Sequence, residues 1–487
     1  MTLAVSISIW FIAIRDPLWP DETGSYWMIG AGFSKILSRQ IITFPAYSYI
    51  LWLSTKIIGS SEIALRVPSV AAMLAAAYLL FRAAGELFDR EFAIIATIIF
   101  CLNPIVIFAS VDVRPYAFAA LATNVAILIL VRLRRCDSTW LAALFGLSAA
   151  CIVWFHFLFA AILPALVLCF FAIKICDRKT LWRQFGVALG AFALAFLPVI
   201  PVLQYLFATG KTHVIDQAPN LLDLVRILAP SILLAVFCVT VPVVLFVSTF
   251  SRRQRDAQNH FEGRLLLFCV SLAIIPVFIL YGVSAETSLH FFKESHHELA
   301  GVPGIALCWA LAVRRFDSRT MRLVFCAVFA TASAFQYFSY SIESERKDYT
   351  WKYALEFVQQ NASVDDASVL VCSDFVESEY ASIPLDSAKD SPFFPQLSYY
   401  KLSVPVVPLP ESLNDEAIRN GSRFVQEAAR KHERFLAVAY MRSYRTLDWL
   451  AERAAATHTV RILKVFRYFK VVEFAPRAEL NSLRSPQ

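Results

Sequence analysis

From residue 63 to residue 340 the chain is a succession of long apolar runs broken by short polar gaps. A helix needs roughly 20 such residues to cross the hydrocarbon of a bilayer. The chain is 58% hydrophobic and 17% charged, with a mean hydropathy of +0.58, which is more apolar surface than a soluble fold can bury. The runs fall at about 63–82, 91–110, 115–132, 139–155, 157–175, 184–206, 224–250, 264–283, 298–313 and 321–340, and 1–15 adds one more, about eleven in all. The expectation is a polytopic α-helical membrane protein. Met1 to Ile14 is short for a full crossing and lacks the basic start of a signal peptide, so it is read as the first span with its true start left open.

The formal net charge of +7 does not point to nucleic acid, because the basic residues sit in short clusters between the runs. Arg82 with Arg90, Arg132 with Arg134 and Arg135, Lys174 to Arg183, Arg252 to Arg264, and Arg314 to Arg322 all fall in alternate gaps. Basic residues accumulate on the cytoplasmic side of a membrane. The alternation therefore predicts a cytoplasmic N-terminus in a plasma (inner) membrane. The gaps 16–62, 111–114, 155–157, 207–223 and 284–297 and the C-terminal part are then expected outside.

Within the first outer gap, Glu22 to Ser38 and Thr43 to Ile58 read as two interfacial helices. From about residue 343 the composition becomes that of a soluble domain. Strands are expected at 368–372, 435–440, 460–466 and 468–474, and helices at 349–360, 411–431 and 446–456. This makes a membrane domain over 1–342, a small outer α/β domain over 343–476, and a disordered tail over 477–487. Of the ten cysteines only Cys372 lies in the outer part, so that domain cannot depend on an internal disulfide.

The unusual polar residues gather on the outer side. Asp21 and Glu22 follow the first apolar segment directly. Carboxylates beside hydrocarbon are costly and mark candidate functional positions. The same pair also suits a helix start, with Asp21 as N-cap and Glu22 as first-turn acid. Val111-Asp112-Val113-Arg114-Pro115-Tyr116 sets an acid and an arginine between two runs, which equally suits a local ion pair at a helix end. His156 stands among aromatic residues, where a packing role competes with a binding one. The loop His290 to Glu298 contains Lys293, His296 and His297. Lysine and histidine there suit a phosphate. A divalent metal (Mg, Mn or Zn) stays open, with Glu22, His296 and His297 as candidate ligands.

Taken in order, these residues resemble the membrane-embedded GT-C glycosyltransferases, and among them the bacterial glycosyltransferase family 39 group of protein O-mannosyltransferase-like and aminoarabinose transferase-like enzymes. The matching pieces are Asp21-Glu22, then Arg66-Val-Pro68-Ser69, Asn103-Pro104, Asp112-Val-Arg114-Pro115-Tyr116-Ala117, His156 and Trp351. The resemblance covers about 16–160 well and the remainder by layout. Two pieces depart from it. Thr43-Phe44-Pro45-Ala46 lacks a histidine common in the group, and His296-His297 stands where many members have Arg-Tyr.

The resemblance implies transfer of a sugar from a polyprenyl-phosphate-linked donor to a lipid, glycan or protein acceptor on the outer face. It implies Asp21 as base, with Glu22 assisting it or binding a metal, and Asp112 as the third catalytic candidate, orienting Arg114 or contacting the acceptor. Arg114, Tyr116, His156, Lys293 and His296 would then bind the donor. A transporter or flippase for a lipid-linked or anionic substrate is the alternative, and it predicts charges at midplane depth and internal repeats. The sequence shows neither. A non-catalytic relative of the fold would need no intact Asp21, Asp112 or Arg114.

Overall fold

The computed structural model describes residues 7–36, 45–174, 178–209, 218–228, 256–287, 292, 295–316, 318–339, 351–362, 368–375, 378, 391 and 393–477. The chain forms two compact units. One comprises Met1–Arg15 with Ile36–Glu343, the other Asp16–Lys35 with Ser344–Gln487. The second unit thus contains helix α1 (Pro20–Gly30) from the first outer gap.

The first unit is helical. Its helices are α2 (Pro45–Ile58), α3 (Glu62–Leu87), α4 (Arg90–Leu102), α5 (Pro104–Ser110), α6 (Tyr116–Leu133), α7 (Thr139–Phe155), α8 (Leu163–Lys174), α9 (Arg178–Phe196), α10 (Ile200–Thr209), α11 (Leu221–Leu228), α12 (Asp256–Glu286), α13 (Val302–Arg314) and α14 (Arg319–Ser339). Among the described residues, four stretches are long and apolar enough to cross a membrane: Glu62–Leu87, Tyr116–Leu133, Thr180–Gln204 and Gly263–Glu286. A fifth crossing is made if the bent pair α4 and α5 counts as one. Of the remaining expected runs, 139–155, 157–175 and 298–313 fall on shorter helices, 321–340 falls on the 21-residue α14, and most of 224–250 lies outside the described residues. The run at 1–15 differs from expectation. Its described part, 7–15, is α-helical at 7–8 and then forms two 3-10 turns, Ile9–Phe11 and Ala13–Arg15, with Trp10 Nε1 donating to the Cys101 carbonyl at 2.9 Å.

The bend between α4 and α5 is 69° and follows from two adjacent residues. Pro104 has no N–H and disfavours helical backbone at the residue before it. Asn103 is accordingly extended, and its Oδ1 caps the new helix by accepting from Ile105 N at 2.9 Å. At the ends of the same bundle the arginine gaps meet. Arg132 pairs with Glu86 at 3.2 Å, Arg314 with Asp89 at 2.9 Å and Arg322 with Glu91 at 3.3 Å. Each half-exposed pair contributes only about 0–1 kcal/mol. Their value is geometric, since they bring the basic gaps after α3, α6 and α13 to one end of the unit.

Close helix contacts fall at glycine. A β-carbon on Gly304 of α13 would lie 2.2 Å from the Leu272 carbonyl carbon and the Ala273 nitrogen of α12. A β-carbon on Gly146 of α7 would lie 2.0 Å from the Ala188 carbonyl oxygen of α9. Small residues let backbones touch where apolar surface alone cannot drive helices together. Gly304→Leu is therefore expected to force α12 and α13 apart. Detergent-solubilised variant protein should lose its monodisperse gel-filtration peak, or melt about 3 °C lower or more, the shift that ~2 kcal/mol produces in a unit of this size.

The second unit is a three-layer α/β fold. Its later elements are α15 (Trp351–Asn361), β1 (Val369–Cys372), α16 (Pro395–Tyr399), β2 (Val406–Leu409), α17 (Asp415–Lys431), β3 (Phe435–Tyr440), α18 (Tyr444–Ala454), β4 (His458–Val465) and β5 (Phe469–Pro476). The sheet order is β2-β1-β3-β5-β4, with β1 parallel to β2 and β3, and β5 antiparallel to β3 and β4. Val369 and Val371 face α15 and α16, while Leu370 and Cys372 face α17 and α18. All four residues of β1 are fully buried, which is why they form a continuous apolar run rather than an alternating one. Cys372 is a free, buried thiol pushed up to about 12 by burial, so it serves as core. Four strands lie within two residues of their expected positions. β2 escaped sequence reading because Pro408 interrupts a run of four residues. Proline is tolerated there because β2 is the sheet edge.

Candidate active site

The expected surface helix over 22–38 is shorter and differently capped than its pattern suggests. α1 starts at Pro20, whose fixed φ suits a first helical residue, with Trp19 as N-cap in extended backbone. Asp21 is therefore in the first turn and is not the N-cap. Glu22 closes the helix start instead, its Oε2 accepting from Trp19 N–H at 3.2 Å. Glu22 is buried and Asp21 half-buried. Both benefit from the positive end of the helix dipole. After Gly30 the chain turns through Gly32 at φ +94°, a left-handed conformation that only glycine adopts freely, and this ends the helix.

Within its own unit α1 packs on α16. Leu18 N–H donates to Tyr400 Oη at 2.7 Å, and the Tyr26 and Tyr399 rings meet edge-on at 4.9 Å. The same unit buries Asp374, two residues after β1. Its Oδ2 accepts from Trp351 Nε1 at 2.7 Å. Burial, opposed by the hydrogen bonds of Trp351 and of its own backbone N–H and reinforced by the charges of Glu411 and Asp21, pushes its carboxyl up to about 7. The folded state holds this proton up to about pH 7, whereas the unfolded chain releases it at the ordinary carboxyl value of 3.8. Stability is thus fully present below the unfolded value and is lost as pH rises through about 7. The melting temperature of this unit is expected to fall from pH 5 to pH 8, and Asp374→Asn should flatten that slope in a calorimetric scan.

The first unit brings together several of the other expected residues. Asp112, Arg114 and Tyr116 lie in the turn before and at the start of α6, and His156 ends α7. The Tyr116 and His156 rings are 4.9 Å apart, His156 and His297 5.5 Å, and Tyr116 and His297 6.0 Å. The Arg114 guanidinium lies 5.7 Å from the Tyr116 ring centre. His156 also stacks on Phe157 and packs against Phe159, so its aromatic setting is a wall shared with the cluster. The turn is held from below by Ser69 Oγ donating to the Asp112 carbonyl at 2.6 Å. Arg66 is fully buried, with Nη1 donating to Ile14 O at 3.1 Å. The Arg66-Val-Pro68-Ser69 segment is thus a support for the Asp112–Tyr116 turn.

Glu298, next to His297 in the 3-10 turn Ser295–Gly301, is 1% exposed, and neither carboxylate oxygen has a hydrogen-bond partner among the described residues. In the sequence Glu298 is one residue of the polar loop His290 to Glu298. Two residues before His156, Trp154 lines an apolar cavity of about 340 Å³ with Pro45, Ala46, Tyr49, Pro198, Val199 and Val202. Lys293 and the side chain of His296 lie outside the described residues. Among the described residues no three His, Cys, Asp or Glu side chains converge on a point that could hold a metal ion. Glu22 spends one carboxylate oxygen on its own helix cap. No step is assigned to a metal.

Residues 43–205 match the family model of dolichyl-phosphate-mannose-protein mannosyltransferase. That stretch contains the Ser69, Asp112–Tyr116 and His156 pieces of the first unit. No curated protein matches the chain. Among solved structures it is similar to ArnT from Cupriavidus metallidurans bound to undecaprenyl phosphate, at 10% identity and a TM-score of 0.59, covering 97% of each chain. The apo form of that protein superposes at 12% identity and 0.54, covering 100% of this chain and 98% of that one. The arabinofuranosyltransferase AftD from Mycobacteria aligns at 14% identity and 0.50, over 97% of this chain and 41% of that one. At these identities the likeness is one of fold. The chain has the GT-C glycosyltransferase fold, and its residues 43–205 carry the pattern of the dolichyl-phosphate-mannose-protein mannosyltransferase family.

Proposed function

We propose that the protein transfers a sugar from a polyprenyl-phosphate-linked donor to an acceptor hydroxyl on a lipid, glycan or protein. The reaction takes place at the outer face of the plasma (inner) membrane, with the N-terminus cytoplasmic and the α/β unit outside. The observation that carries this reading is that one unit holds both an apolar cavity lined by Trp154 and the Arg114–Tyr116–His156–His297 cluster, with Trp154 and His156 two residues apart at the end of α7. Apolar walls beside a few polar donors suit a ligand that joins an isoprenoid chain to a phosphate. ArnT, which shares the fold, binds a lipid of that class.

In this reading Asp21 removes the proton of the acceptor hydroxyl. The freed oxygen pair attacks the anomeric carbon, and the bond from that carbon to the phosphate oxygen breaks. The phosphate leaves with the extra negative charge, which Arg114 stabilises, with Lys293 and His296 as further candidates. Glu22 fixes the helix start from which Asp21 projects. Asp112 orients the turn that carries Arg114. The test is direct. Purified protein in lipid nanodiscs should release polyprenyl phosphate from a radiolabelled polyprenyl-phosphate sugar carrying mannose, arabinose or 4-aminoarabinose when envelope glycolipids are supplied. Intact donor after prolonged incubation with all three sugars would rule the reading out.

A further inference from the structure

In the α/β unit the parallel strands β2, β1 and β3 run side by side, and each is followed two residues on by a charged side chain: Glu411 after β2, Asp374 after β1 and Arg442 after β3. The connection leaving β1 passes through α16 on one face of the sheet, and the connection entering β3 passes through α17 on the other. The carboxyl end of β1 is therefore a topological switch point, where open α/β sheets leave a crevice for a ligand.

Ser373 Oγ donates to the Phe393 carbonyl at 2.8 Å, which brings the start of α16 to the end of β1, and two buried groups here have unspent hydrogen-bonding capacity. Asp374 is 6% exposed, and its Oδ1 has no hydrogen-bond partner among the described residues. Gln396, on α16, is 0% exposed, and neither its amide oxygen nor its amide nitrogen has one. Buried polar atoms in a native fold are rarely left so unless something else satisfies them. Glu411 is held by Arg442 at 3.8 Å and donates its N–H to Ser378 Oγ at 3.0 Å. The α1 helix packs on α16, and the charge of Asp21 bears on Asp374.

We propose that this carboxyl end of β1, β2 and β3, through Asp374 and Gln396, binds a neutral hydroxyl-bearing carbohydrate as the sugar acceptor. The proposal rests on the reading of Asp21 as base. A carboxyl and an amide together donate and accept, as vicinal hydroxyls require. Three acids against one arginine disfavour an anionic ligand. Among the described residues the site lacks the three ligands that a bound metal would need.

The test uses the full chain in nanodiscs, a labelled polyprenyl-phosphate sugar as donor, and hexyl glycosides of mannose, glucose, galactose and arabinose as probe acceptors. At least one glycoside should accelerate donor turnover saturably. Asp374→Asn keeps an oxygen for Trp351, and Gln396→Met keeps the volume; thermal melts establish which variant is folded. Either folded variant should raise the half-saturating acceptor concentration at least tenfold, while the maximal rate falls less than threefold. Failure of all four glycosides to accelerate the wild-type protein, or half-saturation within twofold of wild type in a folded variant, overturns the assignment. An Asp21→Asn variant that keeps its maximal rate overturns the base reading alone and leaves the acceptor shift to be judged separately.

Discussion

Asp21→Asn is expected to lower the rate of sugar transfer by about 10²–10⁴-fold, the usual contribution of a positioned general base. The substitution is nearly isosteric, and the α1 cap does not use this side chain, because Glu22 and Pro20 start the helix. The α1 helix should therefore stay docked through Leu18–Tyr400 and Tyr26–Tyr399. The measurement is turnover of labelled lipid-linked sugar, with a melting curve alongside. A rate within threefold of wild type in a normally folded variant would remove Asp21 from the chemistry. Glu22→Gln makes an informative control, since its amide oxygen can still accept from Trp19 N–H. If Glu22 acts only as a cap, that variant should keep the melting temperature. Glu22→Ala should then cost about 0.5–2 kcal/mol of stability, the usual worth of a helix cap.

Most of the architecture was legible because its signals are strong and local. Apolar runs of spanning length mark helices regardless of partners. In the structure, Arg132, Arg314 and Arg322 find Glu86, Asp89 and Glu91 across the bundle. What escaped was what depends on tertiary context. α1 reads as part of a membrane-surface helix, yet it belongs to the α/β unit, since its partners Tyr399 and Tyr400 lie more than 350 residues away in the chain. Nothing in the local pattern of Pro20–Gly30 encodes that choice.

The same limit applied to the site. Asp112, Arg114, Tyr116 and His156 stand out in the sequence because they form an ordered motif between apolar runs, and the side chains of Arg114, Tyr116 and His156 lie together with His297. Asp374, Gln396 and Glu298 carry no motif. Their chemistry arises from burial, which a single sequence does not show. For Asp374 a signal did exist: an acid two residues beyond a fully apolar four-residue strand that turns out to be parallel on both sides. Knowing the sheet order would have marked it, and knowing the strand alone could not.

Arg114→Ala is expected to reduce kcat by about 10²–10³-fold, in the range measured when one donor to a developing oxyanion is removed. The charge on the departing phosphate grows only as the bond to the sugar breaks, so the loss should appear in kcat more than in donor KM. Arg114→Lys should recover little of it. A guanidinium can engage two phosphate oxygens and lie over an aromatic ring, whereas an ammonium is a compact point charge. Arg114 has such a ring in Tyr116, 5.7 Å from its Cζ. Tyr116→Leu should therefore loosen the guanidinium and lower kcat by a smaller factor, about 2–5-fold for a cation–π contact of roughly 0.5–1 kcal/mol. Single-turnover kinetics with saturating donor separates these effects from binding. If Arg114→Ala instead raises donor KM with kcat intact, the arginine anchors the lipid phosphate in the ground state, and the stabilisation of the leaving group belongs to other cations.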